Sequence, residues 1–290
     1  MQPSVLITGA KGQLGCELQE LIPNYSQFQI FPTDVDTLDL CNKRAIESFL
    51  DNTHVDYIIN CAAYTAVDKA EEDIDLCYRI NYEAVRNLAE VAGEDIKVIH
   101  ISTDYVFDGM SSQPLREIDD TNPQSVYGKS KWDGEQILLK SAPNSIIIRT
   151  AWLYSSFGNN FVKTMIRLGK EKESLSVVND QKGTPTYAAD LAKAIFQIIE
   201  ESENKNSFQA GIYHYTNEGV CTWYDFCLKI HELAGITTCK VYPVSTAEYP
   251  TKAARPLYSV LDKTKIKNTF HLTIPHWEDS LKSAFQRLNS

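Results

Sequence analysis

Ser4-Val-Leu-Ile-Thr8-Gly9-Ala-Lys-Gly12-Gln-Leu-Gly15 begins with five residues of strand character and runs directly into a glycine-rich turn. Leu14, Leu18, Leu21 and Ile22 then recur at helical spacing before Pro23, so the segment reads as strand, turn and helix. Glycines permit the tight turn and let backbone N–H groups approach a pyrophosphate, while the helix N-terminus adds partial positive charge. Gly9, Gly12, Gln13 and Leu14 are therefore candidate cofactor-binding residues. The spacing is GxxGxxG rather than the stricter GxGxxG. A second strand-like run, Phe28-Gln-Ile-Phe31, is followed by Asp34, 22 residues after Gly12. An acidic residue at that distance grips the adenosine ribose hydroxyls of a dinucleotide. Asp36 and Asp39 compete for the role, and Asp34 lies nearest the strand end.

Further along, Tyr127-Gly-Lys-Ser-Lys131 sets a phenol and an ammonium four residues apart. If residues 128–140 are helical, the two groups share a face one turn apart. A free tyrosine has a pKa of about 10 and is a slow proton carrier near neutrality unless a cation stabilises its phenolate. Lys131 is the candidate for that cation. The pattern alone is weak. It gains weight from the dinucleotide-binding opening and from the strand-like Val98-Ile-His-Ile-Ser102, which ends in Thr103-Asp104-Tyr105. His100 and His214 interrupt apolar strands and read as structural.

Between these motifs the chain alternates strands and helices. Helical spacing covers 44–50, 76–91, 161–170 and 188–200; strand character covers Tyr57 to Ala62, Lys97 to Ser102 and Ser145 to Thr150. The last run is nearly all apolar, as expected of a strand covered on both faces. The order predicts an α/β fold with a doubly wound, Rossmann-like parallel sheet and a smaller C-terminal α/β cap that binds substrate. Residues 1–155 read as the dinucleotide-binding domain, with 172–202 returning to it through a sheet strand at Leu175 to Val178. Residues 203–290 together with 156–171 read as the cap, with helices at 222–234 and 277–288.

The chain has 290 residues, 43% of them hydrophobic, ample for a large core. A net charge of −10 without a basic cluster argues against nucleic-acid binding. An anionic substrate would then need a local basic pocket. The seven cysteines are odd in number and lack a CxxC pair, so neither zinc nor a disulfide framework is indicated and a reducing cytoplasm suits them. With no apolar run near 18 residues, neither a membrane span nor a signal peptide is expected.

Several segments together resemble the extended short-chain dehydrogenase/reductases and, within them, the dTDP-4-dehydrorhamnose reductases. They are Gly9-AKGQLG, Asn60-CAAYTAVDKAE, Ser102-TDYVFDG, Tyr127-GKSK, Arg149-TAWLY, Gly158-NNFVKTMIRL, Val178-NDQKGTPTYAADLA, Thr222-WYDF, and Tyr249-PTKAARP followed by Ser259-VLD. The resemblance implies hydride transfer from NADPH or NADH to C4 of a dTDP-linked 4-keto-6-deoxy sugar, giving dTDP-L-rhamnose. In that chemistry Tyr127 protonates the developing alkoxide, Lys131 lowers the tyrosine pKa, and Thr103 orients the ketone. The resemblance also puts Asp39 and Leu40 near the adenine, and Ala62, Ala63 and Tyr64 along the cofactor. Asp104 and Trp152 fall beside the sugar. Asn160 and Lys163 begin a helix that contacts the diphosphate, and Arg255 offers bidentate guanidinium geometry to the same group. Some relatives hold magnesium through carboxylates at a dimer interface, where Glu17 corresponds; no ligand set is complete in the sequence, so no metal is assigned and a homodimer stays open. Two alternatives remain: another nucleotide-sugar enzyme of the same superfamily, an epimerase or dehydratase, and a non-catalytic cofactor-binding regulatory subunit.

Overall fold

The computed structural model describes residues 2–288. The chain runs β1 (Ser4–Thr8), α1 (Gln13–Leu21), β2 (Gln29–Pro32), α2 (Lys43–Asn52), β3 (Tyr57–Asn60), α3 (Val67–Ala70), α4 (Ile74–Tyr78), α5 (Ala84–Ala92), β4 (Lys97–Thr103), α6 (Val126–Ser141) and β5 (Ser145–Thr150). It continues through β6 (Leu153–Tyr154), α7 (Phe161–Glu171), β7 (Ser174–Val178), β8 (Lys182–Gly183), β9 (Thr186–Tyr187), α8 (Ala188–Lys205) and β10 (Gly211–His214). The final elements are β11 (Cys221–Thr222), α9 (Trp223–Leu233), β12 (Lys240–Val244), α10 (Thr264–Phe270) and α11 (Trp277–Leu288).

Six strands form one sheet in the order β10-β5-β4-β3-β1-β2, with every neighbouring pair parallel. Alternation of side chains across a strand explains why these strands are apolar throughout. Val5, Ile7, Ile59, Ile99, Ile146 and Ile148 pack on one face against α1 and α8. Leu6, Ile58, Val98 and Ile147 pack on the other against α2, α5 and α6. Both faces are covered, so neither set of positions tolerates polar side chains without partners.

Two strands depart from the sequence expectation. Leu175 to Val178, expected in the main sheet, pairs in parallel with β12 in a separate two-stranded sheet. Its Ser174 and Ser176 are exposed, a half-buried pattern unlike the fully buried β5. Gly211–His214, expected with the cap, instead becomes the sixth sheet strand beside β5; α8, which precedes it, packs on the sheet face. Outside the main sheet, α7, α9 and α11 share a separate apolar cluster around Met165, Phe226, Ile230 and Leu281.

The helix expected over 76–91 is broken. Residues Arg79–Glu83 form a π turn between α4 and α5, a feature that frequently accompanies functional sites. Among the described residues no helix is long and apolar enough to cross a membrane.

Candidate active site

A parallel sheet directs the ends of all its strands to one edge, and open α/β sheets take ligands in the crevice outside the carboxyl ends. The candidate residues lie there in strand order: the glycine turn after β1, Asp34 after β2, Ala62 to Tyr64 after β3, Thr103 at the end of β4 and Trp152 after β5. The switch in strand order falls between β1 and β3.

The glycine turn is shaped by backbone contact. Gly9 has φ +65°, and a side chain there would meet the Ala62 backbone nitrogen at 2.7 Å, so the turn can sit on the end of β3 only if position 9 lacks a Cβ. Gly12 caps α1 without any side-chain acceptor, which leaves the first-turn amides to an anion. This cradle fits a dinucleotide pyrophosphate. Asp34 accepts from the backbone amides of Lys11 and Val35, both at 2.8 Å, tying the β2 end to the glycine turn. Lys11 pairs with Asp36 at 2.6 Å. Asp39 Oδ1 accepts from the Cys41 amide, and Leu40 is buried. Tyr64 is anchored by Asn81, which exchanges hydrogen bonds with its amide and carbonyl. Ala62 and Ala63 are half-buried beside it.

The start of α6 fixes the reactive group. Ser125 Oγ accepts from the Gly128 amide at 3.1 Å, and a Cβ on Gly128 would lie 2.3 Å from the Tyr105 carbonyl. The helix therefore seats directly on the turn that follows β4. This brings the Tyr127 phenol to the end of β4 near Thr103, with the Tyr105 ring edge-on at 5.5 Å. Burial raises the Tyr127 pKa, and the Thr103 hydroxyl opposes that rise. The sequence assigned the lowering to Lys131. In the structure Lys131 is turned toward β4, where Nζ donates to the Ile101 carbonyl at 2.6 Å and lies 3.2 Å from His100 Nε2. Burial lowers the Lys131 pKa to about 8. Thr103 Oγ1 donates to Asp104 Oδ1 at 3.0 Å, and burial pushes the Asp104 carboxyl up to about 6. Thr103, Asp104, Tyr127 and Lys131 thus meet at one strand end.

The other candidates surround this point unequally. Trp152 adopts a left-handed backbone with φ 50° and stacks on Trp223 at 3.6 Å. Asn160 caps α7 through the Lys163 amide and donates to Gln13 Oε1 at 2.9 Å, joining the 155–160 turn to the start of α1. Lys163 Nζ is bonded to the Gly158 carbonyl. Arg255 pairs with Asp68 at 2.6 Å, lies over the Tyr105 ring, and has a buried Nη1 without a hydrogen-bond partner. It lines a cavity of about 90 Å³ with Tyr105, Phe107 and Gln124. The structure joins neither Asn160 nor Lys163 to Arg255 by a direct bond. Glu17, considered for magnesium, is buried, accepts from Ser155 at 2.6 Å and pairs with Arg287 at 2.5 Å. Among the described residues no group of three or more His, Cys, Asp or Glu side chains is placed to hold a metal ion.

Asn60, Asn81, His100 and Trp223 escaped sequence reasoning as site residues. Asn60 and His100 did carry a signal, since each is a polar residue interrupting an otherwise apolar strand.

A family model described as the RmlD substrate binding domain matches residues 2–290. The chain belongs to this RmlD family. A relative named dTDP-4-dehydrorhamnose reductase, from Aggregatibacter actinomycetemcomitans, is 43% identical over 285 residues, covering 96% of this chain and 97% of the relative. Among solved RmlD-like structures, the dTDP-4-dehydrorhamnose reductase of Bacillus anthracis in complex with NADP is 42% identical with a TM-score of 0.93, covering 99% of this chain and 100% of that one. The Clostridium acetobutylicum dTDP-4-dehydrorhamnose reductase is 44% identical with a TM-score of 0.92, with coverage of 99% and 100%.

Proposed function

We propose that this protein is an NADPH-dependent reductase that converts the C4 ketone of dTDP-4-dehydro-L-rhamnose to the alcohol of dTDP-L-rhamnose. The observation that carries the reading is the meeting of Thr103, Tyr127 and Lys131 at the end of β4, on the same sheet edge as a glycine cradle shaped for a pyrophosphate. Relatives more than 40% identical over nearly their whole length bear the reductase name, one of them solved with NADP.

When bound, NADPH supplies the hydride to the carbonyl carbon. The chain's own groups handle the charge that then develops on the oxygen. Tyr127 is held as the neutral phenol, so it is loaded to donate a proton. Thr103 Oγ1 accepts from the Tyr105 amide and donates to Asp104; turning that one proton from Asp104 to the ketone oxygen would let Thr103 orient the substrate. The Trp152–Trp223 stack offers a flat apolar wall to the sugar. Arg255 supplies a guanidinium donor for the diphosphate. In this reading residues 1–155 hold the cofactor, and the elements outside the main sheet hold the sugar nucleotide. Asp34 is engaged within its own turn, with Lys11 adjacent; this favours use of NADH alongside NADPH.

A dehydratase needs an additional acid and base beside the tyrosine. Asp104 is followed by Tyr105 rather than a glutamate, so that alternative lacks its second group. A regulatory subunit would have no use for the assembled Thr103, Tyr127 and Lys131. The deciding experiment mixes purified protein, NADPH or NADH, and dTDP-4-dehydro-L-rhamnose, and identifies the product by NMR. Formation of dTDP-L-rhamnose is expected, and recovery of unreacted ketone under both cofactors would overturn the reading.

A further inference from the structure

Behind the reactive groups a line of buried side chains has only one consistent arrangement of hydrogens. The Ala62 backbone amide donates to Asn60 Oδ1 at 3.2 Å, and Thr8 Oγ1 donates to the same oxygen at 2.8 Å. A backbone N–H can only donate, so the Asn60 amide cannot be turned over without losing that bond. Asn60 Nδ2 therefore faces His100 Nδ1 at 3.0 Å as a donor, and Nδ1 must accept. His100 is fully buried, and burial together with Lys131 depresses its pKa far below the ordinary value. Its single proton then belongs on Nε2, which lies 3.2 Å from Lys131 Nζ. An ammonium has three donors and no acceptor. An N–H pointed at it penalises the charged form, whereas the neutral amine accepts from that N–H and still donates to the Ile101 carbonyl.

The other groups around Lys131 pull its pKa upward without overcoming its burial. On its own helix Glu135 is bound by the buried Arg149 through bonds of 2.7–3.2 Å, and Tyr127 is a neutral phenol. Just after β3 and within α4, Cys61 and Cys77 are thiols raised by burial, Cys61 to about 12. Among the described residues no carboxylate hydrogen-bonds to Lys131 Nζ.

We propose that His100 is a positioning residue for the reaction: locked by Asn60 with its proton on Nε2, it favours the amine form of Lys131 and sets the pH above which the site stops reducing. The inference rests on the reductase reading for its kinetic consequence, but the tautomer can be observed without catalysis.

The test uses the full chain, labelled with 15N, and long-range 1H–15N correlation of the His100 ring with and without NADPH. Wild type should show a protonated Nε2 and a bare Nδ1. Asn60→Asp keeps the acceptor for Thr8 and Ala62 but replaces the donor facing Nδ1 with an acceptor, so the ring proton should move to Nδ1. In kinetics, the alkaline limb of kcat should move up by about one pH unit in Asn60→Asp and in the charge-free His100→Leu. A purely structural role would lower kcat without moving the limb. A wild-type ring protonated on Nδ1 or on both nitrogens overturns the proposal, as does an unmoved limb in either variant that folds. If neither folds, the wild-type tautomer decides alone. Failure of the reductase reading looks different: no product from wild type, whatever the tautomer.

Discussion

At the scale of single residues, the site contains groups whose burial costs stability and whose chemistry needs it. Tyr127 is the sharpest case. Tyr127→Phe keeps the ring and its contact with Tyr105 while removing the only proton it can donate. Turnover should fall by roughly 10²–10⁴-fold with NADPH affinity nearly unchanged, as measured by steady-state kinetics and a cofactor fluorescence titration. Activity within twofold of wild type would remove Tyr127 from the mechanism. Lys131 shows the cost. Its pKa is lowered by burial from 10.5 to about 8, so the folded value lies below the unfolded one. Below pH 8 the fold therefore carries a charged group that the unfolded chain holds more cheaply, and the penalty disappears as pH rises from 8 to about 10.5. At about 1.4 kcal/mol per unit, the penalty reaches roughly 3 kcal/mol. Lys131→Met should raise Tm by several degrees at pH 7, with the gain shrinking toward pH 10, while activity is lost. A lower Tm at pH 7 would count against a destabilising buried charge.

At the scale of elements, α6 carries the proposed catalytic pair Tyr127 and Lys131, and its position depends on close backbone approach. A Cβ on Gly134 would lie 2.3 Å from the carbonyl oxygen of Asn81, in the π turn between α4 and α5. Because backbone atoms cannot step aside like a flexible side chain, Gly134→Ala should push α6 off that turn and cost about 1–3 kcal/mol, as overpacking does. Chemical denaturation checks the stability, and kcat should fall as well, because Tyr127 and Lys131 move with the helix. Unchanged stability would mean that the α6 contact is looser than its geometry. The π turn itself left no trace in the periodicity: the apolar positions of 76–91 fit an ordinary helix, and only the packing of Asn81 against Ser130 and Tyr64 accounts for a widened turn there.

At the scale of the whole molecule, a chain of net charge −10 cannot attract a nucleoside diphosphate from a distance and must hold it with local donors. In the proposed function Arg255 is that donor; it is bonded to Asp68 through Nη2, and its Nη1 is buried without a hydrogen-bond partner. Arg255→Ala should weaken binding of dTDP about tenfold or more, the usual worth of a charge-assisted hydrogen bond. Isothermal titration with dTDP alone reads this without catalysis. An unchanged dissociation constant would leave Lys163 as the next candidate. Asp34 and Lys11 make a second prediction at this scale: kcat/KM for NADH and NADPH should differ by less than about a thousandfold, a ratio that initial-rate assays give directly.

Local patterns carried much of this. The apolar runs of β1, β3, β4 and β5 were legible because strands covered on both faces must be apolar throughout, and the glycine turn because only glycine permits φ +65° against the Ala62 backbone. Tyr127 and Lys131 were legible because helical spacing alone sets them one turn apart. Tertiary structure decided what depends on which neighbour a segment meets. Leu175 to Val178 has strand character wherever it lies, but its partner is β12, and nothing local distinguishes one parallel edge from another. Lys131 was read as the cation that lowers the tyrosine pKa. Its burial, with Nζ turned to His100 and the Ile101 carbonyl, comes from β4 lying beneath α6, and only that packing places a histidine 31 residues away in sequence within reach of the ammonium.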